Sequence, residues 1–350
     1  MDYRWDKKIL EKLYLNKEVR KELYYLYASI NFHNDFPKND EDDLTYSLKS
    51  VMSKDMFYLS FFPFLNGPLS KVKTNYKLYK TDDLKANINL TKDDILSLTY
   101  DFYKNIDKDL FKTFENLYNE RNTHLKFITS KYDYSGQTHY SKSSNEVFME
   151  IEYSNSFDNL LTSVHEYGHA IRFKTLKNNP MTISRQAYQE IESTFMEILA
   201  IDYFTNLDEF KHLNYNEKKK YFNSFYTQAS FINFKMFIKY LYDNFKLNND
   251  DTGYTAFKHY LNDNYNISAN QLKQIYEFTS SYFMRYVLSL FVTFELYFIY
   301  QEDKEKALYL YKEILRLSDE NPIDIDNKLK EMDIIIGNNI DAFTRKLERK

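Results

Sequence analysis

Five glycines and five prolines in 350 residues do more than any other feature to limit what this chain can become. Sandwiches and barrels need a turn roughly every 8–12 residues, and those turns draw heavily on glycine and proline. So few breakers leave long helices as the expected building material. Hydrophobic residues at 43% and aromatics at 18% supply enough apolar surface for a substantial core, which excludes a wholly disordered chain. The net charge of -4 gives no general positive field for DNA or RNA, so no nucleic-acid partner is expected. The absence of cysteine removes disulfides, thiolate nucleophiles and sulfur ligands. Charge throughout Met1 to Lys8, where a secretory signal needs an apolar stretch, adds the expectation of a cytoplasmic protein.

Apolar residues recur at three- and four-residue steps from Lys8 to about Phe32 and from Asp93 to about Phe127, which predicts amphipathic helices. Between them, the apolar segment from Met56 to Pro68, broken at Pro63 and by Asn66-Gly67-Pro68, reads as a buried corner. The polar stretch from Ser135 to Ser144 reads as a loop, and Val147 to Tyr153 alternates as a short strand should. Helical periodicity resumes near Ser156 and continues to the C-terminus, with loops near Asn178-Asn179-Pro180 and from Asn248 to Gly253. The apolar run from Tyr286 to Tyr300 is interrupted by Ser289, Thr293 and Glu295 and falls short of the ~20 residues of a membrane span. A buried helix is expected there, and no membrane partner.

Within this helical pattern lies Val164-His165-Glu166-Tyr167-Gly168-His169-Ala170, an H-E-x-x-H sequence. Residues four apart share a helix face, so His165 and His169 can address one metal ion while Glu166 turns toward a metal-bound water. For a chain of this composition, about 0.01 chance occurrences are expected, although short motifs do misfire. The flanks Leu160, Leu161, Val164, Ala170, Ile171 and Phe173 describe a buried helix, in which unpartnered histidines and a glutamate would be costly. Gly168 costs about 1 kcal/mol in a helix interior, which suggests that something passes close to the backbone there.

Catalytic zinc usually takes a third protein ligand. Arg172 and Thr175 stand where a metzincin has its Gly and third His, which removes that class. The next predicted helix, from about Ser184, carries Glu190, Glu192 and Glu197 among apolar residues. Glu190 and Glu197 share a stripe with Thr194, whereas Glu192 projects about 200° away from Glu190. On this reading only one of those faces meets the metal. Geometry alone leaves the choice open; a stripe holding both a ligand and a supporting acid favours Glu190.

These residues resemble the zinc metallopeptidases of the thimet oligopeptidase and oligoendopeptidase F group, whose pattern is H-E-x-G-H-A followed by E-x-x-S-x-x-x-E. The likeness is specific over about residues 135–200 and loose over 275–290. It implies Zn²⁺ held by His165, His169 and Glu190, with Glu166 as general base. It also implies a two-lobed helical clamshell with a small sheet beside the cleft, and short peptides as substrates. Val147 to Tyr153 resembles the family's edge strand, able to pair with an extended peptide. In the family a late segment with His and several Tyr stabilises the oxyanion; here Tyr282 and Tyr286 are candidates, and the His is absent. The implied organisation is one metallopeptidase-like domain over 1–350, with a helical lobe at 1–130 and a zinc-binding lobe at 131–350, and the chain is short for the group. A metallocarboxypeptidase, or a peptide-binding protein with a retained zinc, uses the same residues differently. His33, His124, His212 and His259 read as surface residues, and His139 as a loop residue facing away from substrate.

Overall fold

The computed structural model describes residues 88–119, 123–129, 135–141, 144–175, 190–249, 253–265, 267, 281–316, 322–339, 342 and 345. The expected helix from Lys8 to Phe32, the corner at 56–68, His33, the loop at 178–180, the helix start near Ser184 and the segment 275–280 lie outside these residues. What is described is mainly helical with one small sheet.

Helix α1 (Lys92–Ile106) opens with a capping box: Thr91 Oγ1 accepts from the Asp94 amide and the Asp94 carboxylate accepts from the Thr91 amide. Asp107 ends it and caps α2 (Lys108–Asn119) by accepting from the Asp109 and Leu110 amides. The pair packs through aromatic faces, with Tyr103 stacked on Phe114 at 4.5 Å. The helix expected to continue to Phe127 instead gives way to strand β1 (Thr123–Ile128). A short apolar run satisfies either periodicity, and pairing with a buried strand decides it.

Strands β2 (Gly136–Ser141) and β3 (Glu146–Glu152) complete a sheet of order β1-β3-β2, with β1 parallel and β2 antiparallel to β3. Two expectations are corrected here. The polar stretch after Ser135 forms β2, whose 136–141 backbone pairs residue by residue with 151–146. The strand read as an edge is central: Val147, Phe148, Met149 and Ile151 are all buried, as both faces of a covered strand must be. Among the described residues β1 and β2 are the outer strands of the sheet.

The end of β3 is tied to α3 (Phe157–Thr175) by Asn159, whose side-chain amide donates to the Glu152 carbonyl and whose Oδ1 accepts from the Ser154 amide at 2.6 Å. Helix α4 (Ile191–Thr205) lies against α3 and is buried on nearly all sides. A 3₁₀ turn (Lys211–Leu213) leads into α5 (Asn214–Asn248), followed by α6 (Tyr254–Tyr265), α7 (Ser281–Glu302), α8 (Lys304–Arg316) and α9 (Pro322–Glu331). The expected buried helix at 286–300 is α7, which is buried from Phe291 to Tyr297 and meets α4 through a hydroxyl pair, Thr194 to Thr293 at 2.7 Å. One continuous hydrophobic core runs from Leu90 to Ile336, and α3 and α4 lie inside it. Among the described residues, no helix is long and apolar enough to cross a membrane.

Candidate metal centre

Helix α3 has to bury charge to fit this core. Between Ser163 and Arg172 only His165 keeps appreciable contact with solvent; Glu166, His169 and Arg172 are buried. Helix α4 can come close because Gly168 has no side chain. A Cβ there would stand 2.8 Å from the Glu192 carbonyl oxygen and 2.9 Å from the Ser193 Cα. This is the close passage that a mid-helix glycine implied.

The approach brings Glu190, the N-cap residue of α4, to both histidines. Its Oε2 lies 3.5 Å from His165 Nε2 and 3.3 Å from His169 Nε2, and the three ligand atoms form a compact group. Ligand atoms about 2.0–2.1 Å from a tetrahedral ion stand roughly 3.3 Å from one another, so these spacings suit zinc. Ser193 Oγ donates to the same Glu190 oxygen at 3.1 Å.

The outer sides of the imidazoles are also engaged. His165 Nδ1 lies 3.1 Å from Glu197 Oε2, and His169 Nδ1 lies 3.3 Å from Glu192 Oε1. An ionised carboxylate only accepts, so each Nδ1 carries a proton and each Nε2 points at the shared centre. With no cation between them, burial opposes charging the imidazoles, but the carboxylates outweigh it. Glu190 and Glu197 hold His165 well above the usual histidine range, and Glu190 with Glu192 pushes His169 up to about 9. The centre therefore calls for positive charge, which protons or a divalent ion can supply.

Glu166 faces β2. Its Oε2 accepts from Thr138 Oγ1 at 2.5 Å, and that hydroxyl also lies 3.1 Å from the Glu166 carbonyl oxygen. A Cβ on Gly136 would come within 2.6 Å of Glu166 Oε1. Burial pushes the Glu166 carboxyl upward, against the lowering effect of His165 and His169.

The structure thus brings together His165, His169, Glu190 and Glu166. Tyr282 and Tyr286 both lie on α7; Tyr286 is half-buried, and its spacing of seven from Thr293 puts it on the helix face that meets α4. Of the two glutamate faces of α4, Glu190 is the one turned to the shared centre, while Glu192 meets α3 on the far side of His169. Because the first turn of α4 is seated against Gly168, Glu190 reaches the inner sides of the imidazoles, and Glu192 reaches His169 from behind. Sequence reasoning also missed Arg172, which pairs with Glu192 at 2.7 Å; its signal was a charge among Ile171 and Phe173. It missed Tyr221 as well, whose hydroxyl donates to the Thr194 carbonyl at 2.9 Å and is held well above its usual range by burial and by Glu197. His124 is not a surface residue: it is buried on β1, 3.4 Å from Glu146 and stacked on Phe148. His139 is on β2, opposite Phe148. His212 and His259 are exposed as expected.

A mainly helical chain with a small sheet against a His-His-Glu cluster is the class defined so far. The sequence matches no family model and no curated protein. Solved structures do share the fold. One from Bacillus anthracis, carrying the name oligoendopeptidase F, is 12% identical with a TM-score of 0.50, over 89% of this chain and 56% of that one. A second with the same name is 15% identical with a TM-score of 0.50, over 98% and 65%. A peptidase structure from Chlamydophila abortus is 14% identical with a TM-score of 0.52, over 95% and 60%. The fold is that of the oligoendopeptidase F structures, as the sequence resemblance implied, and the chain spans 56–65% of the length of these three.

Proposed function

We propose that this chain is a zinc-dependent endopeptidase acting on short peptides, with His165, His169 and Glu190 as ligands and Glu166 as general base. The observation that carries the reading is the spacing of 3.3 and 3.5 Å between the Glu190 oxygen and two Nε2 atoms, each with its Nδ1 engaged by a separate carboxylate. When bound, zinc would lower the pKa of a coordinated water toward ~7 and polarise the scissile carbonyl. Glu166 takes the proton of the attacking water and delivers it to the leaving amine. Burial, which raises its proton affinity, suits both halves of that exchange.

The peptide would lie along β2. Among the described residues β2 is an outer strand of the sheet and its Thr138 touches Glu166, so an extended chain running along it would pass next to that carboxylate. Tyr286 or Tyr282 of α7 supplies a hydroxyl for the oxyanion.

The test is Glu166→Gln. Hydrolysis of internally quenched peptides falls by about 10²–10⁴-fold while bound zinc, measured by elemental analysis, stays at one per chain. A variant that keeps most of its turnover removes Glu166 from the role. Mass spectra of wild-type digests should show internal cuts, and stepwise C-terminal trimming would make the chain a carboxypeptidase.

A further inference from the structure

Arg172 and Glu192 are 5% and 3% exposed, and their 2.7 Å contact is an ion pair sealed in the core. Taking two charges out of water is expensive, and well-packed apolar residues of similar volume generally stabilise a fold as much or more. The pair therefore needs another explanation than stability, and its geometry supplies one. A single oxygen, Glu192 Oε1, lies 2.7 Å from Arg172 Nη1 and 3.3 Å from His169 Nδ1.

The residue holding that oxygen is itself fixed from three helices. The Glu192 carbonyl accepts from Tyr311 Oη of α8 at 2.8 Å. The Glu192 backbone is pressed onto Gly168 of α3, and α4 carries it within its first turn. Among the described residues His165 has no comparable arrangement: its carboxylate partner Glu197 is 23% exposed.

We propose that Arg172 and Glu192 act as a positioning pair for His169. Arg172 holds the Glu192 oxygen in place, and that oxygen fixes the His169 ring with its proton on Nδ1 and Nε2 aimed beside Glu190. This rests on the zinc reading above. Its consequence is an asymmetric centre, in which affinity for the metal depends more on the outer partner of His169 than on that of His165.

The experiment measures zinc dissociation constants of the full chain by chelator competition and records the visible absorption of the Co²⁺-loaded protein as a report on ligand geometry. Arg172→Met and Glu192→Gln weaken zinc about 10–100-fold and change the cobalt spectrum, as loss of such outer partners does elsewhere. Arg172→Lys recovers part of the loss, and Glu197→Gln costs less than Glu192→Gln. The deciding variant is the double replacement Arg172→Met with Glu192→Leu, which removes both charges and folds at least as stably as wild type yet still binds zinc weakly. A role in stability alone predicts wild-type zinc affinity from that variant, and this result would overturn the proposal. So would single variants that bind zinc within twofold of wild type. A wild-type chain that takes up no zinc would instead overturn the metal reading, and this inference with it.

Discussion

Helices α2 and α3 lie in one core and face opposite demands. Helix α2 buries Leu110, Phe114 and Leu117 and keeps Lys108, Asp109 and Lys112 exposed, so its place rests mainly on shape and apolar area. Helix α3 buries Glu166, His169 and Arg172 alongside Leu160, Val164 and Ile171, and each of those polar groups is held by a partner from another element. Buried polar groups are tolerated when satisfied and rarely improve on apolar packing for stability. The difference separates the part of the core that only holds the fold from the part that keeps a candidate metal site at a cost.

The sharpest way to break this contrast is Phe114→Ala. It should destabilise the protein by about 3–5 kcal/mol in denaturant titrations through the cavity it leaves, with zinc affinity unchanged. An accompanying loss of zinc affinity would show that the two regions are not separable.

Next in size is the pH response of α3. With no metal, His169 titrates near 9 in the folded chain against 6.5 unfolded, so its contribution to stability is complete below about pH 6.5 and disappears as the pH rises through about 9. The metal-free chain should therefore lose on the order of 3 kcal/mol relative to His169→Gln between pH 6 and 9.5. Zinc affinity should run the other way and weaken in acid, because protons compete for the same Nε2 atoms. Parallel stability curves for the two metal-free proteins would count against charge balance at the centre.

Gly168→Ala sets shape against chemistry at one position. The added methyl meets backbone, which cannot swing aside as a side-chain end can. It should cost about 1–3 kcal/mol and weaken zinc binding by separating α3 from α4. The smallest effect belongs to the α1 entrance: Thr91→Ala removes the capping box for about 1 kcal/mol, with no effect on metal uptake.

Legibility in the sequence followed the range of the signal. His165, Glu166 and His169 belong to one helical turn, so periodicity alone aligned them, and a misplaced glycine announced the close approach at 168. Glu190 could be preferred because it and Glu197 share a stripe. Glu192 was unreadable in its actual position, since helix-face reasoning assumes a neighbour on one side, and the seat on Gly168 lets two sides of α4 reach α3. The sheet was misread for a similar reason: alternation identifies a strand at 147–153 but carries no information about which strands flank it. His124 went to the interior because of Glu146 and Phe148 on another strand, a pairing with no local trace.

Gly136 and Thr138 meet the two oxygens of Glu166 from one strand, the first by having no Cβ in the way and the second by donation. The carboxylate's rotational freedom is surrendered when the protein folds, so the general-base role proposed for it would leave little ordering entropy to lose. Any side chain at 136 would have to displace that carboxylate and the Thr162 methyl before it could be accommodated, which makes the smallest residue of the strand the one that fixes where the Glu166 carboxylate points.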